Sequence, residues 1–368
     1  MTPRMALVHE RFTEIGGSEH VVEQLSAQWP AAQVHVPFAR PSGLPAGLGP
    51  LRTSWLDHLY GLIGRRTYAP LLPLMPSAFR RMRLDGADAV VISHHAFATQ
   101  AVFATSAPTI AYVHSPARWA WETSMRSGEG GGRLGASALR ALASTTRRDE
   151  LAAAPRLTTI VANSTAVAER IRRWWGRDSV VVHPPVDTEA FTPDPGLPRE
   201  DFFLLAGRLV PYKRPELAIA AANAAGAPLV VVGEGRSAEL CRKLAGPTVR
   251  FAGRVPHDTL LDLQRRARAL LMPGVEDFGI VPVEAMACGT PVIALGAGGV
   301  LDSVLPGVTG RLVPASTSDE RVVEDFAAAL TGFDEADYDR VRIRRHAETF
   351  SRSTFRRRMQ DVVDGVLG

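Results

Sequence analysis

The sequence predicts an α/β protein made of two doubly wound domains, each built on a parallel sheet. Short runs rich in Val, Ile and Leu alternate with amphipathic helical periods along the chain, which is the pattern of repeated βα units. A proline-rich segment at 184–196 interrupts this series and predicts a linker. The length of 368 residues also favours two domains, at roughly 150 residues each.

The predicted elements follow in chain order. Strands before the linker are predicted at 4–9, 33–37, 88–93, 109–114, 158–162 and 179–183, with helices at 19–29, 134–153 and 166–175. Strands after the linker are predicted at 202–206, 228–232, 249–251, 269–272 and 291–294, with helices at 215–225, 237–245, 259–267, 283–288, 334–350 and 353–367. We expect an N-terminal domain at 1–185, a C-terminal domain at 186–350 and a final helix at 351–368 that packs back on the first domain.

The composition of the chain argues against several classes of protein and partner. Apolar residues make up 46% and charged residues 22% of the chain, as in an ordinary globular protein, and the net charge of +4 is too small to indicate a nucleic-acid partner. Two cysteines do not suggest a disulfide framework or a cysteine-based zinc site. The first residues lack the apolar core of a secretion signal, so we expect a cytoplasmic protein.

The most informative segment is 276–284, which follows a predicted strand and opens a helix. Glu276 and Glu284 stand eight positions apart, and Gly279-Ile280-Val281 between them places backbone N–H groups at a helix N-terminus. Such a terminus favours an anion, and two flanking acids suit the sugar and ribose hydroxyls of a nucleotide sugar. The alternative is an ordinary strand–loop–helix connection with Glu284 near its cap.

Three other segments add weaker signals. Arg208 and Lys213 follow the first strand after the linker and could reach one diphosphate, or form a solvated basic turn; Lys213 is one of only two lysines in the chain. Gly16-Gly17 follows the first strand and would let backbone approach a ligand. His114 ends a strand, where active sites of this architecture lie, although a lone histidine can also be structural.

Taken together, these segments resemble the family 4 retaining glycosyltransferases of the GT-B fold, in which two Rossmann-like domains face one cleft. The resemblance covers nearly the whole chain. It includes the paired-glutamate segment, the arginine and lysine, the glycine pair, the histidine, and the turn Gly253-Arg254-Val255 that in this family contacts the base. The segment 298–302 departs from the pattern, because Asp302 stands where the family usually has Glu.

The resemblance implies transfer of a sugar from a nucleotide-sugar donor with retention of configuration, without a cofactor or a metal. The residues expected to be catalytic are His114, Arg208, Lys213 and Glu276. The residues expected to bind the donor are Gly16, Gly17, Val255, Phe278, Gly279, Ile280, Val281 and Glu284. Closure of the domains about the linker would bring the glycine pair onto the donor.

The finer expectations concern the substrates. Segments 68–74, 112–121 and 162–164 resemble a mannosyltransferase-like branch of the family, which implies GDP-mannose as donor and a glycan or glycolipid as acceptor. One alternative is a UDP-sugar-dependent family 4 transferase acting on a small molecule. Others are a non-catalytic nucleotide-sugar-binding protein and an epimerase or phosphorylase on the same scaffold.

Apolar residues and arginines mix in segment 56–84, as on a helix that lies at a membrane interface. This pattern predicts peripheral contact with the inner face of the membrane. The alternative is a plain pair of surface helices, because Pro70, Pro73 and Pro76 break any long amphipathic face.

Overall fold

The structure, a computed structural model, describes residues 3–126 and 132–368. The chain divides into two compact units. The first unit comprises residues 1–185 and 353–368, and the second unit comprises residues 186–352. Each unit is built on a parallel sheet flanked by helices, so the predicted fold class is confirmed.

The sheet of the first unit has the strand order β3-β2-β1-β4-β5-β6-β7, with all neighbours parallel. Its strands β1 to β7 are Met5–His9, Gln33–Val36, Leu51–Thr53, Ala89–His94, Thr109–Val113, Thr159–Ala162 and Val180–Val181. Every residue of β1, β4 and β5 is buried. Burial of both faces explains why these strands are apolar runs rather than alternating patterns.

The helices of the first unit pack on both faces of this sheet. Helices α1 to α6 are Gly17–Gln28, Trp55–Leu62, Met75–Arg80, Arg118–Trp121, Gly132–Ala153 and Thr165–Trp175. Helix α6 shows the expected end signals, since the Ser164 hydroxyl accepts from the Val167 amide and Gly176 ends the helix at a φ of 65°.

The sheet of the second unit has the order β10-β9-β8-β11-β12-β13 and is also parallel. Strands β8 to β13 are Phe203–Ala206, Leu229–Val232, Val249–Gly253, Leu270–Met272, Val292–Leu295 and Gly310–Val313. Helices α7 to α13 are Pro215–Ala225, Ala238–Leu244, His257–Arg266, Ile280–Ala287, Val300–Ser303, Asp319–Thr331 and Arg340–Glu348.

The last helix, α14 (Arg352–Leu367), belongs mostly to the first unit. It buries Phe355, Met359 and Val363 in the apolar cluster formed by β1, β2 and α1. These three residues recur at helical spacing, so one face of the helix completes the core of that unit. Within the described ranges, no helix is long and apolar enough to span a bilayer.

Several elements differ from the sequence predictions. The sequence did not predict β3, β13 or α12; β3 and β13 are short edge strands, and all of β3 is exposed, which leaves little apolar pattern. The predicted strand 179–183 is reduced to Val180–Val181. The predicted helix 334–350 becomes regular only at Arg340, because the Asp339 carboxylate caps the amides of Val341 and Arg342.

Both sheets contain one point at which the strand order reverses, between β1 and β4 in the first unit and between β8 and β11 in the second. Connections leave such a pair of strands in opposite directions, which opens a crevice at their carboxyl ends. Ligands of doubly wound sheets bind there. A ligand-binding site in the second unit is therefore expected at the loops that follow β8 and β11.

Candidate active site

Two loops of the second unit meet at this reversal point, and glycines allow their close approach. In the loop after β8, Gly207 has a φ of 137°, and a Cβ built there would lie 3.5 Å from Lys213 Nζ. In the loop after β11, a Cβ on Gly274 would lie 2.6 Å from the Lys213 backbone. A side chain at Gly274 would therefore push the two loops apart.

This approach produces an ion pair between the loops. Lys213 Nζ lies 2.6 Å from Glu276 Oε1, and the two side chains are 18% and 22% exposed. The sequence predicted both residues, and the structure brings them together. Because the pair keeps some access to solvent, its charges remain available to a ligand.

The loop that carries Glu276 is held from its other side by two glycines. The Gly299 amide donates to the Glu276 carbonyl at 2.9 Å. A Cβ on Gly298, which has a φ of 76°, would lie 2.5 Å from the same carbonyl oxygen. The backbone of Glu276 is therefore fixed between the Lys213 loop and the 298–299 turn.

The same loop ends at the start of α10. Gly279 is the N-cap of α10 at a φ of 88°, and a Cβ there would lie 2.8 Å from Met272 Cε. The first-turn amides of a helix, here those of Ile280 and Val281, lack partners within the helix and carry partial positive charge. The backbone amides that are predicted to bind an anion therefore lie shortly after Glu276 in the chain, and Glu276 is the residue that pairs with Lys213.

Glu284 lies on α10, and its environment perturbs its titration. Burial raises the pKa of Glu284 to about 7, Lys213 opposes this rise, and Asp187 adds to it. Asp187 itself pairs with Arg352 at 2.9 Å. Near neutral pH, Glu284 is therefore present in both protonation states and can donate or accept a hydrogen bond at a hydroxyl.

Three other predicted residues of this unit have contacts that do not by themselves indicate binding of a donor. Arg208 is exposed, and its guanidinium donates to the Tyr212 hydroxyl at 3.3 Å. The Phe278 ring is buried, 5.6 Å from the ring of Phe350, so its side chain supports the loop. Val255 is half-buried against one of the two cores of the unit. The roles of these three residues in binding a donor stay predictions.

The first unit carries the remaining predicted residues. Gly16 and Gly17 stand at the start of α1, where the Gly16 amide donates to Glu19 Oε2 at 3.0 Å. His114 directly follows β5, and its Nε2 lies 2.8 Å from Ser93 Oγ. Burial lowers the pKa of His114 to about 3, so the imidazole is neutral at physiological pH.

Sequence reasoning missed several residues that shape these sites. Asp187 raises the pKa of Glu284, and Gly274 and Gly298 lie against the backbones of Lys213 and Glu276; only the tertiary structure reveals these relations. His9 and Ser93 were detectable, because both are polar residues in the last two positions of buried strands. Polar residues at the carboxyl ends of parallel strands point to a functional edge of the sheet.

Two protein families match the chain over most of its length. Residues 15–190 match the family described as Glycosyltransferase Family 4. Residues 187–345 match the family described as Glycosyl transferases group 1. The boundary between the matches falls at the junction of the two structural units.

Curated relatives match about half of the chain. The D-inositol 3-phosphate glycosyltransferase of Kribbella flavida is 37% identical over an alignment of 203 residues, and the match covers 46% of this chain and 47% of that protein. The protein of the same name from Streptomyces coelicolor is 33% identical over an alignment of 217 residues, and the match covers 46% of this chain and 47% of that protein. The matched region spans about half the length of these relatives.

Solved structures share the fold along the whole chain. Sucrose-phosphate synthase from Thermosynechococcus elongatus aligns with a TM-score of 0.74 at 19% identity, covering 99% of each chain. Anabaena HepE, solved with UDP and glucose, aligns with a TM-score of 0.71 at 17% identity, covering 98% of this chain and 99% of that one. The architecture is thus that of GT-B glycosyltransferases.

The raised pKa of Glu284 predicts a pH-dependent stability difference. Between its ordinary value of 4.5 and about 7, the folded chain holds a proton that the unfolded chain releases, so stability falls as pH rises through this window. Glu284→Gln has no such titration. We expect wild type to lose stability relative to Glu284→Gln between pH 5 and pH 8, by at most about 3 kcal/mol.

Urea unfolding of both proteins at several pH values measures this difference. Glu239→Gln is the control, because Glu239 is 80% exposed in its pair with Lys243. Parallel stability curves for wild type and Glu284→Gln would contradict the assignment of a carboxyl that binds a proton in the folded chain near neutral pH.

Proposed function

We propose that this chain, which belongs to the glycosyltransferases that join a Family 4 domain to a group 1 domain, transfers a hexosyl group from a nucleoside diphosphate sugar to a hydroxyl group. The observation that carries the proposal is the 2.6 Å pair of Lys213 and Glu276 beside the start of α10. A cation, a carboxylate and free helix amides together suit a sugar joined to a diphosphate.

The diphosphate is the leaving group, and its departure sets the barrier. As the bond between the anomeric carbon and the phosphate oxygen breaks, positive charge grows on the sugar ring and negative charge on the diphosphate. Lys213 and the first amides of α10 stabilise that negative charge, each donor by about 3 kcal/mol. We propose that these groups do the work without a metal.

The two glutamates have different proposed roles. Glu276 orients Lys213 and accepts hydrogen bonds from sugar hydroxyls. Glu284 binds the ribose hydroxyls, which suits a carboxyl that titrates near pH 7. When the Arg208 guanidinium releases the Tyr212 hydroxyl, it brings a second positive charge, beside that of Lys213, to the diphosphate.

Retention of configuration is proposed from the family resemblance. The acceptor hydroxyl attacks the anomeric carbon on the face that the diphosphate leaves. The new bond joins the acceptor oxygen to that carbon, and the hydroxyl proton passes to the departing phosphate oxygen. His114 and the glycine pair of the first unit are proposed to contact the substrates during this step.

The identity of the base and of the acceptor is open to direct test. The sequence resemblance favours GDP-mannose and a glycan or glycolipid acceptor, whereas HepE was solved with UDP and the curated relatives are named for D-inositol 3-phosphate. A polyol or sugar hydroxyl is common to these acceptors, and a nucleoside diphosphate hexose is common to these donors.

Removing either member of the ion pair should nearly abolish transfer. We expect Lys213→Ala and Glu276→Gln each to lower kcat by about 10²–10³-fold. The first change removes the preorganised positive charge that acts on the leaving group, and the second removes the carboxylate charge that acts on the sugar. Release of nucleoside diphosphate from the donor, measured with an acceptor panel, gives the rate.

The controls for this experiment come from the other lysine of the chain. Lys243 forms an exposed pair with Glu239 on α8 at 2.7 Å, so Lys243→Ala and Glu239→Gln remove the same groups at the surface. Both should keep wild-type turnover. Near wild-type turnover in Lys213→Ala, with its thermal unfolding unchanged, would refute the site.

A donor panel separates the remaining alternatives. We expect one of GDP-mannose, UDP-glucose and UDP-N-acetylglucosamine to raise the thermal unfolding temperature, and slow donor hydrolysis to accompany it, because binding alone stabilises by about 2.7 kcal/mol at 100 times Kd without turnover. Stabilisation without hydrolysis or transfer would instead indicate a non-catalytic binding protein.

Helix α2 and the segment after it support a proposed membrane contact. Trp55, Leu62 and Ile63 are 41%, 71% and 41% exposed, which is unusual for large apolar side chains grouped at one helix. Arg66, which follows Ile63 by three positions, is exposed, and Arg81 is exposed at the end of α3. An apolar group bordered by arginines suits an anionic bilayer surface.

Co-sedimentation with vesicles tests this contact. We expect wild type to pellet with vesicles rich in anionic lipid and not with neutral ones, and the double change Leu62→Ser with Ile63→Ser to weaken pelleting about tenfold. Leu240→Ser is the control, because Leu240 is exposed in the second unit. Equal recovery of wild type and the double variant would exclude this surface.

A further inference from the structure

A continuous chain of buried hydrogen bonds links the glycine loop of the first unit to His114. Glu19 Oε1 lies 3.3 Å from His9 Nε2, His9 Nδ1 lies 3.0 Å from Ser93 Oγ, and Ser93 Oγ lies 2.8 Å from His114 Nε2. The other oxygen of Glu19 accepts from the Gly16 amide at 3.0 Å. The chain therefore crosses the reversal point of the sheet, from α1 through β1 and β4 to the end of β5.

Burial makes this chain of contacts specific. His9 and Ser93 are 0% and 1% exposed, and Glu19 is 6% exposed, so water cannot replace their partners freely. Burial would raise the pKa of Glu19, but the hydrogen bond from His9 leads the effects that outweigh it and hold that pKa at about 2. Glu19 is therefore a carboxylate and can only accept hydrogen bonds.

With a singly protonated His9, the carboxylate determines the direction of every proton in this chain of contacts. Glu19 accepts from His9, so the His9 proton is on Nε2. A His9 ring that carries only this proton accepts the Ser93 hydroxyl proton at Nδ1. The Ser93 oxygen then has no other proton to give and must accept from Nε2–H of His114.

The far nitrogen of His114 is left as an acceptor. Among the residues that the structure describes, none is hydrogen-bonded to His114 Nδ1. Two rings lie beside His114: the Tyr112 centroid is 5.2 Å and the His95 centroid 6.3 Å from that of His114, and His95 Nε2 lies 3.2 Å from Arg11 Nη1. Arg11 also donates to the Tyr68 hydroxyl at 3.2 Å, so two partners hold its guanidinium.

We propose that Glu19, His9 and Ser93 are positioning residues that hold neutral His114 with its proton on Nε2, so that Nδ1 accepts a hydrogen bond from a substrate hydroxyl. This inference rests on the proposed function, because only a hydroxyl-bearing substrate needs such an acceptor. It assigns the chemistry of His114 as an oriented acceptor rather than an acid, since a neutral Nδ1 without a proton has none to donate.

Nitrogen NMR of the full chain labelled with ¹⁵N-histidine tests the proposal. The ring nitrogens of His114 are assigned by their disappearance in His114→Gln. We expect wild type to show a protonated Nε2 and an unprotonated Nδ1, and Ser93→Ala to populate both tautomers. Ser93→Thr keeps the hydroxyl and should restore the wild-type pattern.

Ser26→Ala is the matched control for the serine changes. Ser26 is also 1% exposed in the first unit, and its hydroxyl has no hydrogen-bond partner in the described part of the chain. The control should leave the His114 signals unchanged. With the active donor, kcat/KM should fall about tenfold in Ser93→Ala, as expected for one misplaced hydrogen bond, and recover in Ser93→Thr.

The outcomes separate this inference from the proposed function. A wild-type His114 protonated at Nδ1, or an unchanged tautomer in Ser93→Ala, overturns the relay even if the chain transfers sugar. Absence of transfer in wild type refutes the function while the tautomer pattern is still read from the spectra. If Ser93→Ala fails to fold, the wild-type and Ser93→Thr spectra decide the question.

Discussion

The contact on which the second unit depends is the 2.6 Å approach of Lys213 to Glu276 across the reversal point of the sheet. The two residues come from loops that follow β8 and β11, strands that are neighbours in the sheet although they are far apart in the chain. The fold places a positive and a negative group side by side where the two connections diverge. An ion pair that keeps access to solvent contributes little to stability, so its value lies in presenting charge.

Glycines make this contact sterically possible. Gly207, Gly274 and Gly298 lie where a Cβ would meet the lysine side chain, the lysine backbone or the Glu276 carbonyl. Gly279 adds a positive φ at the cap of α10 and brings the helix start close to Met272. The loops are therefore shaped by the absence of side chains, which leaves room for a phosphate to approach the backbone.

At the equivalent point of its own sheet, the first unit has a chain of hydrogen bonds instead of an ion pair between loops. There the groups are neutral or paired and lie deep in the protein, with His9, Ser93 and Glu19 bonded in sequence to His114. Burial keeps His114 uncharged, which suits the role proposed for it of accepting a hydrogen bond from a hydroxyl. The ion pair therefore lies in the second unit, and the chain of hydrogen bonds that ends at His114 lies in the first unit.

The sequence by itself determined the fold class and most of the buried strands, because apolar runs between helical periods depend only on local pattern. It also singled out Glu276, Glu284, Lys213 and His114, since each follows or opens an element in a recognisable segment. It could not reveal edge strand β3, which has no buried face, or the start of α13, which one aspartate cap decides.

Only the tertiary structure decided which of these residues act together. The pairing of Lys213 with Glu276, the placing of Asp187 beside Glu284 and the relay from Glu19 to His114 all join segments distant in the chain. Strand order and loop clearance determine such contacts. Both depend on three-dimensional packing, which no local pattern of residues records.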